Sequence, residues 1–196
     1  MKQINNNSRH GSTEQLFVIF IASVFLFAII VAFAIVHIYN KVQRLDEGVN
    51  SAWAQVDTVL QRRYDLIPNL VETVKGYAKQ EKDVFTEVTR LRSQWAEAKT
   101  QSEKVQAASD MESALSRLMV VVEQYPQLKS NENFLALQSQ LEGTENRIAV
   151  ERRRYNETLQ AYNTYVRQIP GSFFAQPKDA YFKAAEKAKE VPQVKF

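Results

Sequence analysis

Residues 16–36 read LFVIFIASVFLFAIIVAFAIV, 21 residues in which Ser23 is the one polar side chain, with no charge between Glu14 and His37. At about 1.5 Å per residue a helix of this length is roughly 32 Å long, enough to cross a bilayer core of about 30 Å. A cleaved signal peptide has an apolar region of about 7 to 15 residues followed by a small-residue cleavage site. Ala32-Phe33-Ala34 does give an A-x-A pattern, but inside the apolar run, and His37-Ile38-Tyr39 after it is no cleavage region. The expectation is a retained membrane anchor over residues 16–38, behind a polar, Asn-rich, disordered head over residues 1–15.

On the far side of the anchor about 155 residues remain, one domain's worth and enough to bury a core. Glycine and proline number five each, and β-branched residues do not alternate, which favours long helices over a sheet. The 25 Lys and Arg are interleaved with 22 Asp and Glu, so the net charge of +3 describes solvated helix faces and not a nucleic-acid stripe. Lys2, Arg9 and the terminal amine on one flank nearly balance Lys41 and Arg44 on the other. Asp46 and Glu47 dilute the second flank, which tips the expectation toward the head inside and the domain outside.

The helical pattern continues past Tyr39. Val42, Leu45, Val49, Ala52, Val56, Val59 and Arg63 follow a three-four spacing, so the membrane helix is expected to run into a first soluble helix. The run from Arg63 to Pro68 reads as a tight reversal, with Asp65 as N-cap and Pro68 in the next first turn. A second helix carries Ile67, Leu70, Val74, Tyr77, Val84, Val88, Leu91 and Trp95. Thr100 and Glu103 form a capping box for a third, with Ala108, Met111, Leu115, Leu118, Val122 and Tyr125. Pro126 stops it, and Ser130 or Asn131 caps a fourth that keeps register from Phe134 to Ile169, where Pro170-Gly171 ends it. The expected fold is all-α: an N-terminal transmembrane helix, an antiparallel up-down-up-down four-helix bundle over residues 39–170, and an extended tail over 171–196. The tail's Pro192, Val194 and Phe196 are too apolar for a solvated end and are candidates for docking on the bundle or a neighbouring subunit.

The two histidines, His10 and His37, lie in the head and at the membrane boundary, and there is no cysteine. The soluble part therefore lacks Ser-His triads, Cys nucleophiles, nearly every zinc arrangement and the Glu-x-x-His pairs of di-iron bundles. Glycine-rich phosphate loops are absent too. No metal, no cofactor and no catalytic residue are expected, and carboxylate-only chemistry has no cluster to stand on. Glu145 and Arg152, seven residues apart in the apolar register of the fourth helix, should both point inward and need partners. Arg63, Asp57, Asn50 and Gln55 are the candidates on the first helix. Such a layer either fixes helix register or forms a ligand or partner site. Tyr155-Asn156 and Tyr162-Asn163 share one stripe and read as tyrosines packed at the core edge, while Trp53 and Trp95 read as core.

Ala52-Trp53-Ala54-Gln55-Val56-Asp57, Gln61-Arg62-Arg63-Tyr64-Asp65-Leu66-Ile67-Pro68-Asn69-Leu70-Val71 and Val74-Lys75-Gly76-Tyr77-Ala78 resemble the opening of LemA family proteins. Tyr125-Pro126, Thr144-Glu145-Asn146-Arg147-Ile148-Ala149, Arg152, Tyr155-Asn156 and Tyr162-Asn163 resemble its second half, and Pro192, Val194 and Phe196 its end. The resemblance implies a bacterial single-pass membrane protein with a helical bundle; the expected location is the inner membrane, and the flank charges put the bundle on its periplasmic or outer side. It implies no activity and no catalytic residue. Arg63, Asp65, Pro68, Asn69, Glu145, Asn146, Arg152, Tyr155 and Asn156 match its recurrent positions and are the candidates for a structural or interaction site. The tail departs from the family's acidic ends in carrying Lys183, Lys187 and Lys189.

The expected function is a non-enzymatic scaffold whose partners are the lipid bilayer, further copies of itself and other membrane or envelope proteins, without nucleic acid. The alternative is a ligand-sensing bundle that acts through a partner protein.

Overall fold

A computed structural model describes residues 8–183, with side chains from residue 15 onward. Pro192, Val194 and Phe196 lie outside the described residues. Helix α1 spans Ser8–Lys75, α2 Lys82–Glu97, α3 Gln101–Glu123, a single turn α4 Pro126–Lys129, and α5 Glu132–Arg167, followed by a 3-10 turn Gly171–Phe173. Among the described residues there is no strand.

The apolar stretch forms part of α1 and covers nothing. Phe17, Phe25 and Phe33 are 65%, 69% and 75% exposed, and their neighbours are similar, so these side chains are left for lipid. Among the described residues α1 is the one helix long and apolar enough to cross a membrane. Burial begins at Val42 and follows the predicted stripe through Val49 and Val56, while Leu45, Ala52 and Val59 of that stripe are half-buried and Trp53 and Leu60 beside it are buried instead. One continuous core then takes in Leu60, Ile67, Val88, Trp95, Met111, Leu118, Phe134, Ile148 and Leu159 from α1, α2, α3 and α5. Going up α1 the partners go down α5: Thr158 beside Gly48, Tyr155 on Trp53, Glu145 on Arg63 and Asn131 on Tyr77.

The reversal expected at Arg63 to Pro68 is not there. Helix α1 runs through Pro68, Asp65 lies in its interior, and the chain turns at residues 76–81 instead. A proline inside a helix removes one i to i−4 hydrogen bond and costs about 3 kcal/mol or more. Here the carbonyl left without its donor is that of Tyr64, and Arg92 Nε of α2 donates to it at 3.2 Å. The proline is thus built into the contact between two helices. We expect Arg92→Ala to cost about 1–2 kcal/mol in the parent chain, where it orphans a buried carbonyl. In a Pro68→Ala background, where position 68 regains its N–H, the cost should fall by more than half. Additive effects in that double-mutant cycle, read by chemical denaturation, would sink this account.

The other predicted signals are realised locally. Thr100 Oγ1 accepts from Glu103 N at 3.2 Å, while the Glu103 carboxylate accepts from the backbone of Lys99 and Thr100 at 2.8 and 3.1 Å. Those two donors hold the Glu103 carboxyl below its ordinary range. Asn131 accepts from Phe134 N at 3.0 Å and caps α5. After α5 the backbone of Gly171 lies against the carbonyl of Tyr165, too close for any Cβ, which fixes glycine there.

Candidate functional site

Two structures meet on the inner face of α5. The first is a layer of charge. Arg63 on α1 pairs with Glu145, and Arg152 Nη1 lies 2.8 Å from Glu112 Oε2 on α3. The arginine side chains are 13% and 17% exposed, the carboxylates 41% and 35%, so the cations face the core and the acids face outward. Burial lowers the Arg63 pKa from its usual value, and the Glu112 carboxylate opposes that shift. Nε of both arginines, the Tyr64 hydroxyl and Trp95 Nε1 are buried without hydrogen-bond partners among the described residues. Tyr64 meets Trp95 edge-on at 4.6 Å, and burial raises its pKa well above the usual tyrosine value.

The second is a strap. Residues 175–183 return along α5 and are held by the two asparagines of the tyrosine-asparagine repeats. Asn163 Oδ1 accepts from Lys178 N at 2.8 Å and its Nδ2 donates to Lys178 O at 2.7 Å. Asn156 treats Phe182 the same way, at 3.0 and 2.8 Å. Each side-chain amide turns one N–H and its carbonyl oxygen to the strap backbone and so replaces a neighbouring strand, and the second N–H of Asn163 donates to the Tyr181 hydroxyl at 3.0 Å. Tyr162 donates to Gln176 O at 3.0 Å. Phe182 is stacked on Trp53 at 6.0 Å, meets Tyr155 edge-on at 5.8 Å, and carries the Arg152 guanidinium over its ring at 4.9 Å. Arg152 therefore joins the layer to the strap.

Of the predicted site residues, the structure brings together Arg63, Glu145, Arg152, Tyr155 and Asn156. Asp65, Pro68, Asn69 and Asn146 are exposed and take no part. Asp65 accepts from Gln61, and Asn69 borders a separate hollow with Asn133 and Leu137. Among the proposed partners on the first helix only Arg63 serves. Asp57 pairs with Lys104 at 2.8 Å, Asn50 donates to Asp46 at 3.5 Å, and Gln55 is exposed. Glu112 was not anticipated: it sits beside, not in, the apolar register of α3, and Arg152's need for an acid was its one signal. Asn163, in sequence only the neighbour of the packing Tyr162, takes its clamping role from the strap opposite it.

Below the charge layer a groove of about 680 Å³ opens between α3 and α5, bordered by Arg63, Glu112, Met119, Leu135, Glu142 and Glu145 among others. A larger hollow of about 860 Å³ lies at the α1–α2 turn, with Lys75, Lys79, Lys82 and Arg90 at its edge and none of the candidates. Among the described residues no three His, Cys, Asp or Glu side chains are grouped to hold a metal.

A LemA family model matches residues 52–196. The chain belongs to that family. The match takes in every residue of the charge layer and the strap. Similar proteins include Magnetosome protein MamQ 2 of Paramagnetospirillum magneticum, 26% identical over 180 residues, 79% of this chain and 65% of the relative. Protein LemA of Metamycoplasma hominis is 24% identical over 156 residues, covering 79% of this chain and 71% of the relative. The MamQ of Magnetospirillum gryphiswaldense is 24% identical over 163 residues, 70% and 60% of the two. The chain thus spans 60–65% of the length of the MamQ proteins it matches.

Burial, with Tyr181 nearby, pushes the Tyr155 hydroxyl up from 10.0 to about 12. The neutral phenol is the form the fold accepts, so its contribution is complete below the unfolded value near 10 and is lost as pH rises through about 12. We expect helicity, followed by circular dichroism, to fall in that window. Tyr155→Phe should move the loss to higher pH. Tyrosinate absorbance rising to completion near the ordinary value while helicity holds would contradict this.

Proposed function

We propose that this LemA family member is a membrane-anchored, non-enzymatic helical scaffold that assembles with itself or docks other envelope proteins. One observation carries the reading: α1 is a single helix, Ser8–Lys75, whose apolar part is bare and whose remainder is the central wall of the core. Its 68 residues amount to about 100 Å. A continuous helix of that kind links the bilayer to the helical body and suits a spacer or platform. The antiparallel pairing of α1 with α5 and the packing of α2 along α3 support reading the body as an up-down-up-down bundle. Confinement in a membrane makes weak contacts between copies additive.

The test is the mass of the full chain in detergent by light scattering across a wide concentration range. Species larger than one chain support assembly, and a monomer throughout removes it. The side of the membrane is tested at Ser172, which is exposed beyond α5. With no native cysteine, Ser172→Cys is a unique thiol, and we expect an impermeant maleimide to label it in intact cells. Labelling only after lysis would move the body, and the search for partners, to the cytoplasm.

A second reading, a ligand-sensing bundle, is favoured by the groove beside Arg63 and Glu145. Thermal stabilisation of the chain by a small molecule that Glu145→Gln abolishes would support it.

A further inference from the structure

The strap points at the groove. On α5 the two clamping asparagines, Asn163 and Asn156, begin a seven-residue stripe that continues through Ala149 to Glu142 and Leu135. Glu142 and Leu135 both border the groove. Between Lys178 and Phe182 the strap takes four residues to pass the seven residues of α5 between its clamps, about 10.5 Å, or about 2.6 Å per residue. At that pace the 14 residues from Phe182 to Phe196 cover about 36 Å, as far as about 24 residues of α5 beyond Asn156. That reach covers the length of α5 that borders the groove, from Glu145 to Phe134.

The chemistry agrees. The groove wall offers Leu115, Met119 and Leu141, and Leu135, a large apolar side chain, is left 48% exposed at its rim. Glu142 accepts from Gln138 at 3.0 Å and has no ion pair among the described residues. The segment Val191-Pro192-Gln193-Val194-Lys195-Phe196 supplies alternate apolar groups with one cation among them. Pro192 favours extended backbone at the residue before it, as a strap in a groove needs.

We propose that the chain's own residues 191–196 occupy the α3/α5 groove of the same molecule, continuing the clamped strap past the Arg152–Glu112 pair. The groove is then closed by the chain itself, and any outside ligand or partner binds there only by displacing it. The inference stands whether or not the chain assembles.

Full-length chain in detergent, carrying either Leu135→Cys with Val194→Cys or Val120→Cys with Val194→Cys, tests it under mild oxidation. Val120 is 63% exposed on α3 and does not border the groove. We expect the first pair to form an intramolecular disulfide at least about tenfold faster than the second, the effect of a high local concentration. Equal rates overturn the proposal. A disulfide formed only between chains overturns the same-molecule assignment and hands the groove to a second copy's tail. A second measurement does not depend on cysteines: a fluorescent peptide of residues 189–196 should bind full-length chain carrying Val191→Ser, Val194→Ser and Phe196→Ser at least about tenfold more tightly than parent chain, whose groove is filled. Equal binding to both, or binding to neither, contradicts it.

Discussion

Glu112→Ala is expected to lower the unfolding free energy of the helical body by about 2–3 kcal/mol, and the melting temperature by several degrees. The side chain is 35% exposed and on inspection resembles an ordinary surface acid. Its effect comes from what it leaves behind. Arg152, 17% exposed, loses its carboxylate at 2.8 Å, and Arg63 keeps Glu145 but loses the Glu112 charge that also opposes its desolvation. Among the described residues neither guanidinium has a spare partner for its buried Nε. Breaking a fully buried pair costs about 3–5 kcal/mol, and the partial exposure of Glu112 reduces that figure.

Two comparisons separate this from loss of packing. Glu112→Leu with Arg152→Met removes both charges, and the pair should cost less than Glu112→Ala alone, because no cation is stranded. Glu157→Ala, which breaks the exposed pair with Arg153 at 3.9 Å, should change stability by less than about 0.5 kcal/mol. If Glu112→Ala matches Glu157→Ala in thermal melts monitored by circular dichroism, the layer is not a coupled unit.

The expectation of one apolar anchor followed by amphipathic helices rested on periodicity, and periodicity survives because it records which face each helix buries. Val42, Val49 and Val56 are buried where the spacing placed them. Arg63 and Glu145 were legible for the same reason: charge in an apolar register has to meet charge. Two features were not. The proline rule assumes that an orphaned carbonyl must end the helix, and the donor that overrides it, Arg92, is supplied by another helix. Asn156 and Asn163 carry no periodic signal of function, since an amide at the core edge serves equally well to face solvent. Their role is set by the strap opposite them, and only the folded chain brings it there.

That role makes a second large effect. Asn156→Ala with Asn163→Ala should release residues 175–183 while leaving the main core folded. The two amides make five hydrogen bonds to the strap, four of them to the backbone of Lys178 and Phe182. A net loss of about 3 kcal/mol raises the population of the open strap about 100-fold. Hydrogen exchange reads this directly, because the amides of Lys178 and Phe182 donate to the two Oδ1 atoms. Both should exchange about 100-fold faster, and amides in the middle of α1, such as that of Leu60, should not change. Asn→Asp at both positions is the informative control: it keeps the acceptor for each amide but puts a carboxylate oxygen against the carbonyls of Lys178 and Phe182 in place of Nδ2. Opening should then be intermediate and should increase with pH as the carboxylates ionise. Unchanged protection in the double alanine variant would mean that Phe182, packed on Trp53 and Tyr155 beneath Arg152, holds the strap without the clamps. In that case Phe182→Ala, and not the asparagine pair, should free it.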